Sequence, residues 1–304
     1  MIHSLYLARV DYGQALRLQQ ELVALRTEGR IGNVLLLLEH PPVLTLGRNA
    51  SRANILASDE LLAGRGITLH EINRGGDVTY HGLGQLIGYP IFDLRSLRNA
   101  SGGRLGPVDF VRLMEEALIR LCGELGVAAG RICGLTGVWC GLSSGVPDES
   151  PTSGCAHNPS KGLPPAGERK IAAIGIHVAR GVTSHGFAFN VTTNLDDFRL
   201  INPCGITDRP VTSLANEVQD PAALPTLEAL ASRAARQFGL VFGEPVEMLE
   251  SLATLRSQAQ TAAGASPEPP AQEFPAQDTP LQVPPKIERL RQLPRPVKER
   301  PISA

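Results

Sequence analysis

The sequence predicts an α+β fold. Short apolar runs of strand length recur along the chain, bounded by Gly, Pro, Asn and Asp. Apolar stripes at helical spacing lie between some of them, and the two kinds of segment mix without a regular βαβ repeat. Apolar residues make up 42% of the 304, enough to build a core.

SLYLARV alternates as a strand, and Ala15, Leu18, Leu22 and Leu25 then recur as one face of a helix. NVLLLLEH and VLTLG, parted by Pro41 and Pro42, suit two strands joined by a turn, and ITLHEIN is a further strand. RGGDVTYHGLGQ has four glycines in twelve residues and reads as a long loop leading to the strand LIGYPIFDL. After Pro107, the residues Phe110, Met114, Ala117, Leu118, Leu121, Cys122 and Leu125 mark the clearest helix.

ICGLTGVWC and KIAAIGIHVARG read as strands, with a Pro-, Ser- and Gly-rich insertion over 141–168 between them. TSHGFAFNVTTNL adds a strand, and TSLANEV and TLEALASRAARQFGL add helices, the second with Leu227, Leu230 and Ala234 on one face. Residues 243–260 continue as a helical extension. The proline-dense stretch 261–304 has too few apolar residues to offset its ordering entropy and is expected to be disordered.

Lys plus Arg is 29 against 30 for Asp plus Glu, so no whole-molecule field draws nucleic acid or an anionic membrane. The N-terminus lacks a basic segment followed by an apolar one, and no apolar run approaches the roughly 18 residues of a membrane span. A soluble, cytoplasmic chain is expected. The cysteines Cys122, Cys133, Cys140, Cys155 and Cys204 form no CxxC pair and no zinc spacing, so neither a metal site nor a disulfide framework is expected.

Three segments stand out for chemistry. In RGGDVTYHGLGQ, glycines that let backbone approach a ligand alternate with polar Arg74, Thr79, Tyr80, His81 and Gln85; a tight turn beside satisfied polar groups is the plainer reading. No GxGxxG or GxxxxGKS phosphate motif is present. Lys170 opens a strand in a chain with only four lysines, although such a lysine is ordinarily a solvated edge charge. Cys204 sits in LINPCGITDRPVTSL, where Pro203 and Gly205 fix a turn, whereas Cys122, Cys133 and Cys140 fall in apolar segments that suit inert thiols.

Taken together, RGGDVTYHGLGQ, GVW, KIAAIGIHV, HGFAFNVTTNL, INPCGI and TSL, in this order, resemble the lipoyl(octanoyl) transferase family over residues 1–242. Leu83 stands where that family usually has proline, and the 141–168 insertion and the tail lie outside its pattern. The resemblance implies a single catalytic domain like that of biotin and lipoate protein ligases, a mixed or antiparallel sheet with flanking helices. It implies Cys204 as acyl-thioester nucleophile and Lys170 as the lysine that lowers the thiol pKa and handles its proton. Arg74, Gly75, Gly76, Asp77, Val78, Thr79, Tyr80 and His81 would line the acyl site with Ala173, Ile174 and Gly175, and with Gly186, Phe187 and Ala188. The implied partners are octanoyl-acyl carrier protein and the lipoyl domains of 2-oxoacid dehydrogenases and glycine cleavage H protein, met by a monomer without cofactor or metal. An ATP-dependent ligase on the same fold and a silent carrier-binding module are the competing readings.

Overall fold

The computed structural model describes residues 1–99, 102–142, 167–202 and 209–265, and Met1–Ala265 forms one compact unit. Strand β1 (Ile2–Arg9) leads to helix α1 (Tyr12–Thr27), whose N-terminus is capped by Asp11 accepting from Gln14 N. Strands β2 (Asn33–Glu39) and β3 (Val43–Leu46) are separated at the two prolines, as their missing N–H groups and fixed φ require. Helix α2 (Asp59–Gly64), β4 (Thr68–Glu71), β5 (Val78–His81) and β6 (Gln85–Ile91) follow. Next come α3 (Pro107–Glu124), β7 (Ala129–Ile132), β8 (Leu135–Cys140), β9 (Arg169–Ala179) and β10 (Val182–Asn190). The unit ends with α4 (Leu214–Glu217), α5 (Leu227–Phe242), β11 (Val246–Met248) and α6 (Leu252–Ala265).

The main sheet has eight strands in the order β11-β1-β2-β6-β10-β9-β8-β7. The pairs β11/β1 and β1/β2 are parallel and the rest antiparallel, so the sheet is mixed. A second sheet, β4-β3-β5, is mixed as well. The run NVLLLLE explains the layering. Leu35 and Leu37 pack on one face beneath α3 and α5, with Phe110, Met114, Leu230 and Phe238. Val34, Leu36 and Leu38 pack on the other beneath α1 and α6, with Ala15, Leu22, Leu255 and Ala259. A strand buried on both faces needs apolar residues at successive positions, and each buried leucine contributes about 1.5–3 kcal/mol.

Three segments differ from their sequence reading. RGGDVTYHGLGQ is not loop throughout: VTYH forms β5, because its alternation lets Tyr80 join a core with Leu44 and Leu200 while its backbone pairs with β3. ICGLTGVWC is a hairpin rather than one strand, turning at Cys133–Gly134, where Gly134 has φ +79°. Past Phe242, β11 pairs with β1 before α6 begins, so residue 242 falls within the compact unit and the helix runs over Leu252–Ala265. The insertion from residue 143 to 166 and the tail from 266 lie outside the described residues.

Candidate active site

Where β8 stops pairing with β9, beyond Ala172, the free edge of β9 is taken up by the glycine loop: Gly75 N donates to the Ile176 carbonyl at 2.9 Å. Gly175 permits this approach, since a Cβ there would lie 2.7 Å from the Gly75 carbonyl oxygen. Loop, β5, β9 and β10 then enclose a cavity of about 520 Å³, within the range of about 300–1,000 Å³ usual for small-molecule sites. Its apolar wall includes Val111, Leu135, Ile174, Ile176, Phe187 and Val211. Arg74, Lys170 and Arg209 also line it, and no Asp or Glu does among the described residues.

Most of the residues singled out from sequence meet at this cavity. Arg74, Gly75, Gly76, Val78, Thr79 and His81 line it, as do Ala173, Ile174, Gly175, Gly186, Phe187, Ala188 and Lys170. Asp77 and Tyr80 do not. Asp77 accepts from Asn54 Nδ2 at 2.5 Å and from its neighbour Val78 N at 2.7 Å. Tyr80 is turned by strand alternation to the opposite face, where its hydroxyl donates to Asp197 at 2.9 Å. Cys204 and Cys155 lie outside the described residues.

Lys170 is held from both sides. Its N–H donates to the Pro210 carbonyl and its carbonyl accepts from Thr212 N, both at 2.9 Å, while β8 pairs on the other edge. Its ammonium lies 4.6 Å from the centre of the Trp139 ring, a cation–π placement against a side chain 1% exposed. Gly137, opposite, has φ +124°, and a Cβ there would lie 2.5 Å from the Ala172 carbonyl. This lysine is therefore built into a wall, unlike a solvated edge charge.

Arg74 is buried, and its Nη2 donates to both the carbonyl and the hydroxyl of Thr45 at 2.9 Å. Around it stand three neutral histidines. Burial first, then His40 and Arg74, pull His81 down to about 3; burial, then Arg74, pulls His185 to about 4; and burial pulls His40 to about 4. His40 is kept in place by hydrogen bonds to the Val10 carbonyl at 2.6 Å and the Tyr89 hydroxyl at 2.7 Å. His185 occupies a left-handed conformation at φ +57°, unusual for a residue with a Cβ, and its N–H donates to Gln19 Oε1 at 2.8 Å. Tyr12 stacks on His81 at 6.1 Å between ring centres, and burial pushes its hydroxyl up to about 12.

The sequence reading missed Trp139, Tyr12, Tyr89, His185 and Asn190 as cavity residues, and it singled out Gln85 in the glycine loop without assigning it to the site. Trp139 carried a signal, being the one tryptophan of the chain and the last residue of GVW. Asn190 lies within HGFAFNVTTNL, one of the motifs that carry the family resemblance, whereas Tyr12 carried no signal, because tertiary folding alone brings it to the site. Cys122 and Cys140 are buried, with thiols raised by desolvation, Cys140 to about 12, which keeps them protonated. Cys133 lies on the exposed β7–β8 turn, where an inert thiol within an apolar strand was expected. No helix of the described residues is long and apolar enough to cross a membrane.

Residues 11–239 match the family described as the lipoyl protein ligase A/B catalytic domain. The chain is 57% identical over 252 residues to an octanoyltransferase of Acidobacterium capsulatum, covering 83% of this chain and 94% of that one. It is 49% identical over 268 residues to an octanoyltransferase of Koribacter versatilis, covering 88% and 95%. In fold it resembles a bi-partite lipoate protein ligase from Thermoplasma acidophilum, with TM-score 0.57 at 18% identity over 87% of this chain and 93% of that one. The chain belongs to the lipoyl protein ligase A/B catalytic domain family.

Proposed function

We propose that this chain is an octanoyltransferase of protein lipoylation, which takes an octanoyl group from octanoyl-acyl carrier protein onto Cys204 and passes it to a lysine of a lipoyl domain. The acceptors are the lipoyl domains of 2-oxoacid dehydrogenases and glycine cleavage H protein. Lys170 carries the reading. Its ammonium stands at the wall of a cavity with an apolar lining, and its backbone pairs with Val211. Val211 is an isolated bridge residue just beyond the segment that holds Cys204 in the sequence. The curated relatives named octanoyltransferase support the same acyl group.

A free thiol has a pKa near 8.5, and a neighbouring ammonium favours its thiolate. In the first half-reaction the Cys204 thiolate attacks the donor carbonyl, a new C–S bond forms, the carrier C–S bond breaks, and the carrier thiolate takes a proton from Lys170. In the second the lysine nitrogen of the acceptor attacks, a C–N bond forms, Cys204 leaves as thiolate, and the surplus amine proton returns to Lys170. The cationic lining favours the oxyanion of both tetrahedral intermediates. Exchange of one thioester for another is nearly balanced and the amide step runs downhill, so no nucleotide is consumed.

Intact mass spectrometry after incubation with octanoyl carrier protein tests this. One octanoyl group on Cys204 is expected. A thioester-labile adduct that persists in Cys204→Ser would show that another residue is the nucleophile.

A further inference from the structure

A chain of hydrogen bonds reaches His81 from backbone carbonyls, which can only accept. Thr212 O accepts from Asn190 Nδ2 at 2.9 Å, which turns Asn190 Oδ1 toward Gln85. That oxygen accepts from Gln85 Nε2 at 2.9 Å, and the Tyr80 carbonyl accepts from the same nitrogen at 3.3 Å. Gln85 Oε1 is thereby left facing His81 Nδ1 at 2.9 Å, so Nδ1 carries the ring proton and Nε2 is bare. Flipping either amide would set oxygen against oxygen in a buried place.

No described residue hydrogen-bonds His81 Nε2; of the two ring nitrogens, Nδ1 alone is engaged among the described residues. The ring lines the cavity. The charged groups there, Arg74, Lys170 and Arg209, are all donors. A ligand amine entering among them meets a neutral acceptor at His81.

We infer that Asn190 and Gln85 are positioning residues that hold His81 in its Nδ1-protonated form, and that the bare Nε2 accepts an N–H of the acceptor lysine. The inference rests on the thioester reading above. Gripping one N–H fixes the amine so that its lone pair faces the acyl carbon while the C–N bond forms and the C–S bond breaks. The surplus proton passes to Lys170, and His81 keeps its single proton throughout. Its depressed basicity suits it to orient an amine without becoming imidazolium.

The experiment reads the tautomer directly, then the chemistry. Two-bond ¹H–¹⁵N spectra of histidine-labelled protein should show His81 with Nδ1 protonated and Nε2 bare from pH 5 to 8. An isolated lipoyl domain should shift the Nε2 resonance, and the same domain with its target lysine changed to methionine should not. Asn190→Ala frees the Gln85 amide to flip, so the Nε2-protonated form should appear and transfer from acyl-enzyme to lipoyl domain should fall at least tenfold more than acylation does. Asn190→Asp still accepts from Gln85 and should keep the Nδ1-protonated tautomer, at a lower melting temperature because its second oxygen faces the Thr212 carbonyl. Protonated Nε2 in the wild type, or an Nε2 resonance indifferent to the lysine, overturns the inference. So does an equal loss of both half-reactions in Asn190→Ala. Absence of any acyl-enzyme would overturn the thioester reading instead, while the tautomer and the lysine-dependent shift would still be read.

Discussion

Acid should unfold this protein through its cavity histidines. Folding carries His40 and His185 from 6.5 to about 4 and His81 to about 3, with burial the largest cause in each case. Above pH 6.5 neither the folded nor the unfolded chain binds protons at these rings, and stability is fully present. Between 6.5 and about 4 only the unfolded chain takes them up, so stability falls as pH falls through that window. One pH unit is worth about 1.36 kcal/mol per proton. At pH 5 each histidine therefore removes about 2 kcal/mol, and the three remove about 6 kcal/mol from a typical total of about 5–15 kcal/mol. Urea unfolding followed by circular dichroism at pH 7.5 and pH 5 should record this loss. Replacing His40 by Gln should shrink the loss by about a third, which separates the histidines from surface carboxylates. Stability that stays flat within about 1 kcal/mol between the two pH values would refute the assignment of neutral, buried rings.

Lys170→Ala should fold normally and lose about 10²–10⁴ in transfer rate, and Lys170→Arg should fail too, since a guanidinium keeps the charge but does not release a proton; an unchanged single-turnover rate in either contradicts the role. Gly175→Ala sets a Cβ 2.7 Å from the Gly75 carbonyl and should cost about 1–3 kcal/mol in thermal unfolding while raising the KM for octanoyl carrier protein, whereas an unaltered KM would separate the loop from substrate binding. Leu255, fully buried between α6 and α1, should cost about 2–5 kcal/mol when cut to Ala in a chain ending at Ala265, and a melting temperature unmoved by that change would mean α6 does not pack.

The legible parts of the sequence were those where one local pattern had one reading. NVLLLLE and the α3 stripe at Phe110, Met114 and Leu118 became a doubly buried strand and a core helix because burial acts on every residue in them. VTYH was hidden because four glycines around four residues read as loop, and only pairing with β3, 32 to 38 residues away, makes it a strand. The Cys133–Gly134 turn was hidden for the opposite reason, since apolar residues on both sides read through it. At the site, contiguous motifs identified the glycine loop and the AIG and GFA stretches. Tyr80 lies within the first motif and faces away, as alternation along β5 dictates, whereas Asp77 precedes that strand and is held by Asn54 Nδ2 and Val78 N. Tyr12 became visible only once α1 and β10 were brought together in space.

The parallel pairing of Ile2 with Val246 joins the beginning of the unit to its end. During synthesis at about 5–20 residues per second, β1 emerges first and waits roughly 12–50 seconds for the strand that covers its outer edge. Until then it presents unpaired N–H and C=O groups beside an apolar face that α6 has yet to cover. The nascent chain is thus open to strand addition from a neighbour for most of its translation. A ribosome that pauses near residue 240 would prolong that exposure, and slowed translation should lower soluble yield more than it lowers the activity of the molecules that finish.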